Sequence, residues 1–172
     1  MILIGSAILV GAITGFGAIL FIWLLGQINT LEQWVSNQLG TIGMLLSLGL
    51  AGVVVGFIID RWAQEAKGHG VPEVMEAVAL RGGKIRMRVM FLKAFVSAVT
   101  IGTGGSVGRE GPIVQIGSSL GSSLGQLLKV SQARVKVLVA CGAAGGIAAT
   151  FNAPIAGVLF AVEIILGNYA IT

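Results

Sequence analysis

Long apolar stretches alternate with short polar or glycine-rich stretches along this chain. Residues 1–26 are almost entirely apolar and uncharged, and residues 41–59 form a second uncharged stretch. Because about 20 apolar residues cross a bilayer, both predict membrane helices. The polar residues 27–40, with Glu32 as their only charge, predict a loop that contains Trp34. No basic residue precedes the first stretch, so a signal peptide is not indicated.

Further along the chain, the pattern predicts broken helices. Residues 102–112 contain five glycines, which disfavour a continuous helix there. Each of the three prolines follows a break and opens a helix, where its missing N–H is tolerated; they are Pro72, Pro112 and Pro154. The stretch 129–136 contains the basic residues Lys129, Arg134 and Lys136 and predicts a connection between two of the helices. The predicted helical segments are Pro72–Leu80, Met87–Thr100, Glu110–Leu128, Val137–Thr150 and Ile155–Leu166.

Composition supports a membrane protein with several spans. The mean hydropathy is +0.95, and 10% of the residues are charged. The 27 glycines favour close packing of membrane helices. Basic residues lie between apolar segments, so the net charge of +4 does not indicate nucleic-acid binding. By the positive-inside rule, the side with most of them is cytoplasmic and the loop around Glu32 is external; seven are Arg61, Lys67, Arg81, Lys84, Arg86, Arg88 and Lys93.

Breaks at membrane depth indicate a particular chemistry. Irregular backbone is tolerated there only when protein buries it or when it lines a wet cavity. A helix N-terminus has unpaired N–H groups and about half a positive charge, so it binds anions. Several converging helix starts would attract an anion and still release it, because no buried lysine holds it tightly. The pattern therefore predicts a membrane protein that binds and conducts anions.

Glu110 has two possible roles at such a helix start. Its carboxylate could occupy the anion site and act as a gate that protonation opens. Alternatively, it could be a capping carboxylate paired with Arg109. The glycines of residues 102–108 superficially resemble a phosphate loop, but neither a preceding strand nor a Gly-Lys-Ser/Thr sequence accompanies them. No nucleophilic triad or metal-ligand cluster indicates an enzyme.

Several motifs resemble one family in order and spacing. Residues 108–112, Gly-Arg-Glu-Gly-Pro, are similar to the GREGP motif of CLC chloride channels and proton-coupled chloride transporters. Residues 68–73, Gly-His-Gly-Val-Pro-Glu, resemble the family's GSGIP-E motif, and residues 141–163 are similar to the helix pair that follows. The resemblance covers nearly the whole chain.

This resemblance implies an all-α membrane protein, a CLC-type bundle with broken and re-entrant helices. Residues 1–172 would be the N-terminal half of the transmembrane domain and the first of two inverted repeats. The implied protein is a multi-pass homodimer in the cell membrane and transports chloride or another halide without a cofactor. The family includes voltage-gated channels. The implied partners are membrane lipid and the missing C-terminal half.

The resemblance also implies roles for individual residues. Glu110 is the external gating glutamate. His69 stands at the position of a serine that coordinates the central anion. The other implied anion-binding positions are Gly70, Gly108, Arg109 and Gly111, and the prolines that shape helix starts are Pro72, Pro112 and Pro154.

The chain departs from the family pattern in three respects. Histidine at position 69 could donate to an anion, or it could turn aside and leave the backbone to line the site. Proton-coupled members have an internal glutamate at the position of Ile164, so passive conduction is favoured and Glu163 is interpreted as structural. The family's third anion motif and its coordinating tyrosine are absent before Thr172. The open alternatives are a proton-coupled chloride antiporter, a fluoride antiporter and a truncated half that does not conduct.

Overall fold

The computed structural model describes residues 2–62 and 68–167, and all regular elements in these ranges are helical. They are α1 (Ile2–Trp62), α2 (Val71–Leu80), α3 (Met87–Gly102), α4 (Glu110–Leu127), α5 (Gln132–Phe151) and α6 (Pro154–Phe160), followed by a π-helical segment (Ala161–Ile165). Lys67, one of the predicted cytoplasmic basic residues, lies outside the described residues.

The predicted loop over residues 27–40 is wrong, because α1 is helical as far as Gly40. Polar side chains do not by themselves end a helix, and residues 27–39 contain neither proline nor glycine. Instead, Gln33 donates to the side-chain oxygen of Asn29 at 2.8 Å, one helical turn away. Trp34 accordingly lies on a helix, with 62% of its surface exposed.

Gly40 provides the break within α1. Its φ of 62° and ψ of −150° are not helical and suit a residue without a side chain. Ile28, before the break, lies against Gly102 at the end of α3. Trp62, after the break, accepts a hydrogen bond from Arg88 near the start of α3. The parts of α1 before and after Gly40 therefore contact opposite ends of α3.

The downstream helices begin and end close to the predicted positions. Pro72 lies in the first turn of α2, Pro112 in that of α4, and Pro154 is the first residue of α6. The predicted basic connection is shorter than expected, since α5 begins at Gln132 and residues 132–136 form its first turns.

A stripe of small residues joins α4 to α5. Gly117 lies against the backbone of Gly142, and Gly121 lies against the carbonyl of Leu138. A side chain at either α4 position would collide with main-chain atoms, so glycine permits the contact. The predicted close helix neighbour of α4 is therefore α5. This packing buries much of α4 behind its exposed N-terminus.

Candidate functional site

Two glycine-rich breaks meet at the candidate site. Gly70, just before α2, lies directly against the carbonyl of Gly111 in the first turn of α4. Gly111 in turn lies against the carbonyl of His69. Forty residues of sequence separate these two backbones, and only glycine lets them approach so closely. The helix starts predicted from the two motifs are therefore adjacent in space.

The two helix starts border one cavity of about 510 Å³. Residues from α1 and α3 complete its wall, among them Val55, Ile59 and Ser97. The candidate site residues that line the cavity are His69, Gly108, Glu110, Gly111 and Pro112. The cavity is thus lined by polar groups from two motifs that lie far apart in the sequence.

The start of α4 presents main-chain donors at this cavity. The first intrahelical bond of α4 runs from the N–H of Ile113 to the carbonyl of Arg109, at 3.2 Å. The amides of Glu110 and Gly111 come before it and have no acceptor within the helix. Pro112 contributes no N–H. An anion at this end would meet unpaired amides and the positive end of the helix dipole.

The Glu110 side chain folds back over the preceding turn. Its carboxylate lies where a side chain at position 108 would be, so Gly108 leaves room for it. No ion pair joins Glu110 to Arg109 among the described residues. The carboxylate therefore lies against Gly108, two residues before its own position at the start of α4.

The start of α2 differs from that of α4. The amide of Gly70 donates to Oε2 of Glu73 at 2.6 Å, which is the half of a capping box that a glycine without a side chain can form. Gly70 was predicted to bind an anion, but this donor is already engaged by a carboxylate of its own helix. Glu73 was absent from the predicted site, although its position three residues after Gly70 is the spacing of a capping box.

Lys93 is another residue that the sequence did not assign to the site. Its side chain is 4% exposed, and its ammonium donates to the carbonyl of Gly68 at 2.6 Å. Lys93 also lines the cavity that contains His69 and Glu110. The expectation that the site has no buried lysine is therefore wrong. A contact across 25 residues leaves no periodic signal in the sequence.

Several predicted positions do not line this cavity: Gly70, Pro72, Arg109, Pro154 and Ile164. Pro154 begins α6 beyond α5 and is not part of the cavity wall. Ile164 packs against an apolar core cluster and lines a separate cavity of about 690 Å³ between α2, α5 and the π-helical segment. That second cavity is lined mainly by apolar side chains near Ile164.

Comparison with known proteins supports one family. Residues 51–172 match the family described as voltage gated chloride channel. The H(+)/Cl(-) exchange transporter ClcA of Vibrio parahaemolyticus is 36% identical over 167 residues, which cover 91% of this chain and 35% of that protein. A protein of Ralstonia nicotianae, named as a candidate ClcB-like chloride channel, is 36% identical over 84% of this chain and 33% of its own length.

A solved structure supports the same fold. The crystal structure of a eukaryotic CLC transporter superposes with a TM-score of 0.78 at 24% identity, over 98% of this chain and 34% of that one. The chain spans about a third of the length of the curated relatives that it matches. The family match, the relatives and the helical fold together show that this chain is an integral membrane segment belonging to the voltage-gated chloride channel family, the CLC family.

Proposed function

We propose that the protein containing this chain transports chloride or another small anion across the cell membrane, and that Glu110 gates the pathway. The observation that carries the proposal is the unpaired start of α4, which faces a cavity with the Glu110 carboxylate beside it. The same donors can hold either this carboxylate or a permeant anion. Glycine at 108 and 111 supports the helix start, and Arg109 adds positive charge there.

Within this proposal, His69 donates to the bound anion from the turn before α2. It lines the same cavity as Glu110, and an imidazole N–H is a hydrogen-bond donor in either protonation state. Gly70 contributes the backbone of the turn, because its amide is engaged by Glu73. The protein functions as a transporter rather than an enzyme, and a homodimer with a second, C-terminal half in each subunit is its proposed assembly.

Passive conduction is the favoured mode. Proton coupling needs a group that can carry a proton from the internal side, and the side chain of Ile164 cannot. Apolar side chains of Leu166, Val137 and Met75 line the same cavity, together with Glu76 and Lys136. A proton-coupled antiporter is the second candidate, because several relatives are named H(+)/Cl(-) exchange transporters.

Replacing Glu110 with glutamine tests the gate in the complete protein. Glutamine keeps the size of the side chain but cannot lose a proton or compete as an anion. We expect faster chloride efflux from liposomes near neutral pH and a flatter dependence of efflux on pH. A wild-type rate and pH profile in Glu110→Gln would contradict the proposed gate.

A chloride gradient distinguishes the two candidate modes. In liposomes that contain the complete protein, passive conduction should move chloride without moving protons uphill. A pH electrode in the external buffer measures this directly. Uphill proton movement driven by the chloride gradient would contradict passive conduction and support the proton-coupled antiporter. The proposal of anion transport would still stand.

A further inference from the structure

Two side chains of opposite charge contact the turn that carries His69. Lys93, on α3, is buried, and Glu73, on α2, is half-buried. Lys93 binds the carbonyl of Gly68, and Glu73 binds the amide of Gly70. His69 is the residue between these two anchored positions.

Both charged side chains hold the turn in an unusual conformation. Gly68 has a φ of 126° and Gly70 a φ of 102°, values that residues with side chains rarely adopt. The Glu73 carboxylate also lies directly against Gly68, in space that a side chain there would need. The position of the His69 backbone therefore depends on Glu73 and Lys93, which come from two different helices.

The pair also determines the charge of the cavity. Lys93 lines it, so a full positive charge lies close to any anion bound beside His69. An uncompensated buried ammonium would attract that anion strongly and slow its release, because charge interactions are weakly screened away from water. The Glu73 carboxylate opposes this attraction. The amides and His69 are then the groups that bind the anion.

We propose that Lys93 and Glu73 form a charge-balanced pair that positions the His69 turn and limits how tightly the cavity binds an anion. The inference rests on the proposed anion transport. In this view Lys93 and Glu73 are positioning residues that do not touch the anion. The pair reconciles a buried lysine with a site that has to release its ion at every transport cycle.

Single substitutions change the charge with little change of shape. Glu73→Gln keeps an oxygen that can accept from Gly70 but removes the negative charge, so we expect chloride affinity to increase on the order of tenfold. Chloride efflux should slow in parallel, because release becomes limiting. Lys93→Met removes the positive charge and should weaken chloride binding by a similar factor. Titration calorimetry with chloride on the purified complete protein measures both affinities.

The double variant separates charge balance from simple packing. Glu73→Gln combined with Lys93→Met restores a neutral pair, so its chloride affinity should return towards the wild-type value although both polar contacts are altered. If the double variant binds chloride no better than Lys93→Met, the charge-balance inference is overturned. An unchanged affinity in Glu73→Gln alone also overturns it, and that variant suffices if the double variant does not fold.

A surface pair offers a matched control. Arg81 and Glu76 form an ion pair of 2.7 Å, with side chains 58% and 48% exposed. Glu76→Gln removes the same charge from the same helix but from an exposed site, and it should leave chloride affinity unchanged. Absence of chloride binding in the wild-type protein would overturn the proposed anion transport, and this inference with it. Normal wild-type binding with insensitive variants would overturn this inference alone.

Discussion

The contact between Gly70 and Gly111 is the smallest feature on which the candidate site depends. Each glycine lies against a carbonyl group of the opposite helix start, so any side chain would meet main-chain oxygen. Main-chain atoms cannot rotate away as a flexible side chain can. The two helix starts can therefore share one cavity only while both positions lack a Cβ atom.

Gly111→Ala tests this requirement. The added methyl would overlap the carbonyl of His69, so we expect a loss of a few kcal/mol of stability, on the order of that caused by overpacking a core. Thermal unfolding of the purified complete protein in detergent measures the loss. Gly49→Ala is the matched control, since no atom lies within 4 Å of its added Cβ. Equal melting temperatures in the two variants would contradict the tight contact.

At the scale of elements, α4 holds the connection between α2 and α3. The Ser122 hydroxyl is fully buried, donates to the carbonyl of Gly83 at 2.7 Å and accepts from the amide of Ile85 at 2.8 Å. Gln126, one turn later, donates to the carbonyl of Ile85 at 3.1 Å. These hydrogen bonds connect the basic loop between α2 and α3 to α4, the helix whose start forms the site. This loop is expected on the cytoplasmic side.

Ser122→Ala should loosen that loop. The substitution removes the hydroxyl that bonds to the buried carbonyl of Gly83 and the partly buried amide of Ile85. Each group left unsatisfied lowers the stability of the fold by about 1–3 kcal/mol. We expect faster cleavage by trypsin after three exposed basic residues of the loop, identified by mass spectrometry; these are Arg81, Lys84 and Arg86. Ser47→Ala is the control, because the hydroxyl of Ser47 donates to the carbonyl of Met44 within α1, in an exposed hydrogen bond. Unchanged trypsin cleavage would count against the role of Ser122.

At the scale of the molecule, the described residues form one side of the proposed anion pathway. Its cavity opens beside α1, α2, α3 and α4, and the chain spans about a third of its relatives' length. We expect the 172-residue chain alone to give no selective chloride flux in liposomes, whereas the complete protein conducts. Selective flux from the chain alone would show that a second copy can replace the remaining part of the protein.

Much of the fold was predictable because its signals are local. The helical segments and their membrane setting follow from the apolar stretches, the three prolines after breaks and the glycine ridge. The family follows from the motif resemblance. The first loop was predicted wrongly, because the polarity of residues 27–39 indicates solvent contact but not backbone conformation. The break is confined to Gly40, where the backbone leaves helical geometry.

The sequence alone determined which residues start helices and which backbone positions lack side chains, since proline geometry and glycine freedom are properties of single residues. It also contained the capping spacing from Gly70 to Glu73. Only the tertiary structure decided that the starts of α2 and α4 meet at one cavity and that Lys93 lies behind the His69 turn. Those contacts join residues 25 or more positions apart, and they arise from helix packing, which no local pattern encodes.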